Sequence, residues 1–239
     1  MITMKLTKLT ALALIATTGG AFFTTSAQAA TDTTTSTGEV TYEKFSDATD
    51  PIHPVDPGNK DIEDKGTGNT GELTIDYVSS IQFPNQKVTG NDAVYFAKMS
   101  NVTLEGGTLE ATPNYVQVSD NSGTNSGWKL KVKQDNQFKN ADGKELTAAA
   151  LSFKNGDSVK KVDFLAMEKP SVHDVTLTPG ENHLIASAET DQGVGTWAMN
   201  FGGADNGAES ISLAVPGKYA KVAGTYSTTL TWEVSNTAD

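Results

Sequence analysis

Apolar and polar residues alternate along much of the chain that follows position 71. In the stretch 128–133, Trp128, Leu130 and Val132 are separated by lysines, so the apolar side chains share one face of an extended strand. The same alternation recurs at 73–77, 197–201, 211–215 and 226–234. Because this period is typical of strands with one buried face, the pattern predicts a series of half-buried β-strands.

Turn-forming pairs separate these predicted strands. They combine Gly with Asn, Asp, Pro or a second Gly, and they lie at 106–107, 142–143, 155–157, 179–180, 202–203 and 216–217. Helical periodicity is nearly absent. About 170 residues of short strands fit within one domain. The sequence therefore predicts an all-β domain over 72–239, a single antiparallel β-sandwich that is either Ig-like or jelly-roll-like.

The chain before this domain has a different composition. Residues 30–71 are rich in Thr, Pro and Asp and contain few large apolar side chains, so they offer little surface to bury. The residue before each Pro favours extended backbone. We therefore expect a disordered, extended linker over 30–71. Its Asp residues lack the spacing of a calcium-binding loop, so no metal site is predicted there.

The first 29 residues have the layout of a signal peptide. Lys5 and Lys8 precede the apolar run 9–16, and the small residues that follow end in Ala27-Gln28-Ala29. The apolar run is shorter than the roughly 20 residues that a bilayer-spanning helix needs. We expect cleavage after Ala29 and secretion of residues 30–239 to the cell surface.

Composition limits how such an exported chain is held at the surface. The full chain has 29 acidic residues, no arginine and a net charge of −11, which disfavours nucleic acid and anionic lipid as partners. No cysteine can carry a lipid, and the C-terminus shows neither a hydrophobic tail nor a sorting motif. No later segment is apolar enough to embed the chain in a membrane. Attachment is therefore expected to be non-covalent.

Five ordered blocks of sequence carry a resemblance to a known family. Two of them contain tripeptides of one form, Trp128-Lys129-Leu130 and Trp232-Glu233-Val234. The five blocks are 73–83 (after a Pro-Val-Asp-Pro motif at 54–57), 118–130, 193–197, 211–216 and 224–234. In this order the chain resembles the WxL domain family of Gram-positive surface proteins over nearly all of its predicted mature length.

Two positions depart from the family pattern. Pro84 follows Phe83 where the family tends to have Gly, and Val234 replaces the Leu of the second tripeptide. Val is apolar and favours strands, so the packing is expected to survive this second replacement.

The resemblance implies an all-β cell-surface domain that attaches non-covalently to the peptidoglycan of low-GC Gram-positive bacteria. It also implies complexes with other surface proteins. A rival interpretation is a protein–protein module that docks onto an anchored partner through a strand edge and reaches the wall only indirectly. No cofactor is implied. The three His residues are isolated and no nucleophile motif appears, so we predict a non-catalytic protein.

The binding candidates from the family motif are the two tripeptides. On a strand, each Trp and the residue two positions later share one face, whereas Lys129 and Glu233 point to the other. This layout favours buried packing for Trp128 and Trp232 over stacking on sugar rings, and the same holds for Trp197. The loop 120–127 consists of residues with short polar side chains and of glycines. Asp120, Asn121 and Asn125 in this loop are candidate contacts for glycan hydroxyl and acetamido groups.

Overall fold

The computed structural model describes residues 32–160 and 168–236 of the chain. The chain is divided into two compact units, with the boundary between Thr41 and Tyr42. In the first unit, residues 32–41 are exposed and have no helix or strand. The predicted signal peptide, 1–29, lies outside the described residues. The second unit contains every helix and strand in the described part of the chain.

The second unit is built almost entirely from short strands. Its elements are β1 (Leu73–Val78), β2 (Ala93–Phe96), β3 (Ser100–Thr103), β4 (Leu109–Thr112), β5 (Tyr115–Asp120), β6 (Trp128–Gln134), β7 (Ala150–Phe153), β8 (Gly156–Lys160), β9 (Ser171–Val172), β10 (Val175–Thr176), β11 (Asn182–Ala188), β12 (Gly195–Phe201), α1 (Gly207–Ser210), β13 (Ile211–Val215) and β14 (Leu230–Ser235). The predicted alternating segments coincide with β1, β6, β12, β13 and β14, although β14 begins at Leu230 rather than at 226.

The strands form three four-stranded sheets and one hairpin, all with antiparallel pairing. The first sheet has the order β1-β5-β12-β8, the second β10-β7-β13-β2, and the third β14-β6-β11-β9. Strands β3 and β4 pair only with each other among the described residues. The prediction of an all-β, antiparallel sandwich is confirmed.

One hydrophobic core receives side chains from all three sheets. The first sheet contributes Val116, Val118, Trp197, Met199 and Phe201; the second Leu151, Phe153, Ile211, Leu213 and Val215; and the third Trp128, Leu130, Val132 and Ile185. In β6 the burial alternates residue by residue, with the apolar positions buried and the lysines half-exposed. This is the geometry that the period-two pattern predicts, because successive side chains point to opposite faces of a sheet.

The first sheet is buried on both faces at its central strand β5. All six residues of β5 are buried, although its sequence Tyr-Val-Gln-Val-Ser-Asp alternates apolar with polar residues only in part. Its outer face carries a second apolar cluster that includes Ile52, Val102, Tyr115 and Ala198. The rings of Tyr77 and Tyr115 stack there with centroids 4.5 Å apart.

The cover over this outer face comes from residues 50–64, which we call the covering segment, and from the β3–β4 hairpin. Ile52 and His53 are 6% and 1% exposed, and Ile62 makes an isolated bridge to Leu104. The side chain of Gln117 accepts a hydrogen bond from Ile52 N at 2.7 Å and donates to Asp50 O at 3.1 Å.

We expected a disordered linker over residues 30–71. The structure corrects this expectation for the covering segment, which is ordered. The segment is extended and nearly free of strands, as its composition predicted, yet it packs within the same unit as the sheets. Side chains of the first sheet replace the backbone partners that a neighbouring strand would supply: besides Gln117, Asn200 Nδ2 donates to Pro54 O. This satisfies buried backbone groups that would otherwise be costly.

Candidate functional site

The two tripeptides lie side by side in the third sheet. Strand β6 is a central strand and β14 is the edge strand next to it. Their register places Leu130 opposite Val234 and Val132 opposite Trp232 on the core side. Two segments that are far apart in the sequence thus form one continuous packing surface.

Trp128 is 2% exposed and has no free face for a ligand. Its indole Nε1 donates to Gly193 O at 3.0 Å, so the polar edge of the ring is also occupied. Gly193 has φ of +67°, and a Cβ there would lie 2.6 Å from Ala188 Cβ and 2.7 Å from the Trp128 Nε1. A glycine at position 193 therefore allows the backbone to approach Trp128 closely, where a side chain would clash.

Trp232 is half-buried. One side of the indole meets Phe153 edge-to-face, with ring centroids 6.2 Å apart and an interplanar angle of 87°. The indole of Trp232 is more accessible than those of Trp128 and Trp197, since Trp197 is 3% exposed. An edge-to-face contact between two aromatic rings stabilises the fold. A sugar ring could stack only on the part of the Trp232 indole that remains exposed.

The charged middle residues of the tripeptides face away from the core, as predicted. Glu233 of β14 lies opposite Lys131 of β6. Farther along, Lys133 Nζ is 3.3 Å from Asp135 Oδ1. Lys129 belongs to the same outward row. The carboxylates beside Lys131 and Lys133 reduce the net positive charge that the row presents to a ligand.

The polar loop 120–127 is largely occupied with its own structure. Asp120 is 3% exposed, and its Oδ1 accepts hydrogen bonds from Ser122 N at 3.0 Å and Ser122 Oγ at 2.6 Å. Asn121 is half-buried and its N–H donates to Glu72 O. Asn125, with φ of +53°, is exposed. Of the three predicted loop contacts, Asp120 is buried, Asn121 is half-buried and Asn125 is exposed.

A concave surface lies between two other loops of the second unit. It encloses about 600 Å³ and we call it the loop cleft. Its walls are residues 81–88 and 221–228, and its floor consists of Tyr95, Phe138, Leu146, Leu213 and Val215. The floor is apolar because it is the end of the main core, and the rim carries amides and hydroxyls from both loops.

Three of the five family blocks meet at the loop cleft. Residues 81–83 come from the first block, Leu213 and Val215 from the fourth, and 224–228 from the last. The sequence analysis did not identify this cleft, since nothing in the separate blocks indicates that their loops converge. The available signal was that Phe83 belongs to the first block but lies beyond the alternating segment 73–77.

Hydrogen bonds hold the second wall of the cleft in place. Tyr226 OH donates to Val222 O at 3.1 Å and accepts from Val222 N at 3.2 Å. Lys221 Nζ donates to Thr89 O at 3.2 Å and to Tyr219 O at 3.3 Å. The Lys221 bond to Thr89 ties the two loops to each other, so the mouth of the cleft is fixed before any ligand arrives.

Two buried ionisable groups lie under the covering segment instead of in the cleft. The Asp76 carboxylate, in a residue that is 1% exposed, accepts hydrogen bonds from Ser119 Oγ and Thr74 Oγ1, both at 2.6 Å, and from Gln117 Nε2 at 3.0 Å. Burial raises the pKa of this carboxyl, against the opposing effect of those hydrogen bonds. The network ties β1 to β5 and is structural in character.

His53 is the other buried group. Its Nδ1 accepts hydrogen bonds from Val55 N at 3.2 Å and Asp56 N at 3.0 Å, which fixes the ring as the neutral tautomer protonated at Nε2. Nε2 lies 3.5 Å from Glu110 Oε1, and Lys60 Nζ lies 2.7 Å from that same oxygen. Burial is the largest influence on the pKa of His53 and lowers it.

The described residues contain no group of three or more His, Cys, Asp or Glu side chains that could hold a metal ion. Within the same ranges, no helix is both long and apolar enough to cross a membrane.

Comparison with known proteins identifies the family. No curated protein and no solved structure matches the chain. The family model described as "WxL domain surface cell wall-binding" matches residues 29–238, nearly the whole chain. The resemblance that the five blocks carry is thus confirmed, and the chain belongs to the WxL domain family of surface cell wall-binding proteins.

Proposed function

We propose that this protein is a non-catalytic surface module that attaches directly and non-covalently to the peptidoglycan of the Gram-positive cell wall. The observation that carries the proposal is the match of a wall-binding family to residues 29–238. The predicted signal peptide at 1–29 supports export. The lack of a cysteine supports attachment without a lipid.

Co-sedimentation tests direct attachment. Purified protein is mixed with washed Gram-positive sacculi that have been stripped of proteins and of phosphate-containing polymers. We expect the protein to pellet with the sacculi and to remain soluble without them. Protein that stays in the supernatant across a range of pH and salt contradicts direct binding to peptidoglycan.

Strand β14 favours a second candidate function, docking onto another surface protein. Asp135 N donates to Thr229 O, so these two residues form a hydrogen-bonded pair next to the β6–β14 ladder. Hydrogen-bonded and non-hydrogen-bonded pairs alternate along an antiparallel ladder, so the following pair, Gln134 and Leu230, is not hydrogen-bonded. The backbone groups of Leu230 and Trp232 therefore point away from β6, at the edge of the sheet. Such an edge is a template for an added strand. Specific capture of one surface protein, combined with no retention on bare sacculi, is the outcome that supports this second function.

A further inference from the structure

We propose that the loop cleft is the wall-binding site, and that it takes an N-acylated sugar unit of peptidoglycan together with a carboxylate of its attached peptide. This inference rests on the proposed function, because it assigns a place and a chemistry to the same binding event.

The size and lining of the cleft suit such a unit. A volume of about 600 Å³ lies within the range of roughly 300–1,000 Å³ that small-ligand sites occupy. The floor of aromatic and aliphatic side chains matches the acetyl and alanyl methyl groups that peptidoglycan carries. The rim offers the amides of Gln82, Asn85 and Gln86 and the hydroxyls of Thr225 and Ser227, which match hydroxyl and amide groups.

The charge of the cleft is the sharpest observation. The chain as a whole has a net charge of −11, yet the described residues that line the cleft include two lysines, Lys87 and Lys221, and no Asp or Glu. In the described part of the chain neither lysine forms an ion pair. A positive cleft on an acidic surface attracts an anionic ligand.

The lysine row of β6 provides the contrast. There Lys131 faces Glu233 across the ladder and Lys133 lies beside Asp135. The protein therefore neutralises one set of lysines with its own carboxylates and leaves the cleft lysines to be neutralised from outside. A ligand carboxylate within reach of Lys221 Nζ supplies that charge.

The cleft is also held in its open shape. Tyr226 OH bonds to backbone groups of Val222 in its own wall, and Lys221 Nζ bonds to Tyr219 O and to Thr89 O, which directly follows the opposite wall. A pre-formed site loses less conformational entropy when it binds, which raises affinity without further contacts.

A charge-matched pair of variants tests the proposal. Lys87→Gln/Lys221→Gln removes both positive charges of the cleft. Lys65→Gln/Lys154→Gln removes two positive charges at exposed lysines that do not line the cleft. We expect the cleft variant to bind sacculi about five- to tenfold more weakly, because the ligand carboxylate loses the attraction of both lysines, and the control to bind like the wild type.

Thr225→Trp provides a second variant that does not depend on the lysines, because it fills the cleft from an exposed loop position. It should bind sacculi at least tenfold more weakly. Thermal melting curves that coincide with the wild type show that each variant is folded. If the wild type pellets and the cleft variants pellet equally well, the site assignment is wrong while the proposed function stands. If the wild type does not pellet, the proposed function and the site assignment both fail.

Soluble probes identify the chemistry. A disaccharide–peptide fragment of peptidoglycan should bind the wild type, and the same fragment with its carboxylates amidated should bind about fivefold more weakly, since it lacks the lysine partner. A poly(glycerol phosphate) chain is the competing anion. Tighter binding of the phosphate polymer than of the fragment, lost in Lys87→Gln/Lys221→Gln, overturns the peptidoglycan assignment.

Discussion

The β6–β14 strand pair and the loop cleft share the last family block, 224–234, but the two regions have opposite properties. In the strand pair, Trp128 is 2% exposed, its indole N–H is bonded, and the outward lysines Lys131 and Lys133 have carboxylates beside them. In the loop cleft, the lining side chains surround about 600 Å³ of open space and the lysines lack carboxylate partners among the described residues. The most recognisable residues of the family are therefore those that make the fold. Contact with the wall is assigned to loops whose sequence is less conspicuous.

The largest expected effect is on the strand pair. Trp128→Ala removes a fully buried indole, so we expect the free energy of unfolding to fall by about 3–5 kcal/mol in urea denaturation. Measurement at a temperature where the variant is still folded keeps the comparison valid. A Trp128→Ala protein that unfolds like the wild type but no longer binds sacculi would assign this side chain to the wall and reverse the comparison.

The next effect concerns the outer face of the first sheet, which the covering segment closes. Asp76→Ala leaves the donors from Thr74, Ser119 and Gln117 without their common acceptor, so stability should decrease by about 1–3 kcal/mol. Asp76→Asn is the matched control. Its remaining oxygen can face Ser119 and Gln117, while the Thr74 hydroxyl can turn to accept from the new amide. Equal losses in urea denaturation for the two variants would mean that the hydrogen bonds contribute little.

A smaller, pH-dependent effect comes from His53 under the same cover. Since the fold holds the pKa of His53 below its ordinary value of 6.5, the unfolded chain takes up the proton first as the pH falls. The stability from the neutral ring is therefore complete above about pH 6.5 and decreases below it, until the folded protein is protonated as well. His53→Asn keeps an acceptor for Val55 N and Asp56 N but does not titrate. The stability difference between wild type and variant should shift against the wild type as the pH falls, and a difference that is constant with pH would contradict the assignment.

The sequence predicted the parts of the fold in which one face of a strand is buried. Strand β6 is the clearest case, because its lysines stay outside and its apolar residues lie in the core. It did not predict the double burial of β5, where Gln117 and Ser119 are polar residues placed inside to bind the covering segment and Asp76. The covering segment itself has too few apolar residues to indicate packing. Its place depends on hydrogen bonds from distant strands.

The candidate site was the harder part to predict for a similar reason. The tripeptides were visible as motifs, and their alternation already favoured a core role for the tryptophans. The loop cleft depends on the approach of residues 81–88 to residues 221–228, together with a bond from Lys221 to Thr89. Those contacts are long-range, so neither loop alone indicates a binding site.

The central claim is that the tryptophans of the two tripeptides stabilise the fold and that the loop cleft binds the cell wall. Trp232 tests it most directly, since it is the accessible tryptophan of the two tripeptides. Trp232→Leu keeps an apolar contact with Phe153 at a cost of about 1–2 kcal/mol in stability, and it removes the ring that a sugar would stack on. Sacculus co-sedimentation, measured per folded molecule, should be the same for Trp232→Leu and the wild type. A folded Trp232→Leu protein that remains in the supernatant would contradict the claim and place the wall contact on the tripeptide strand.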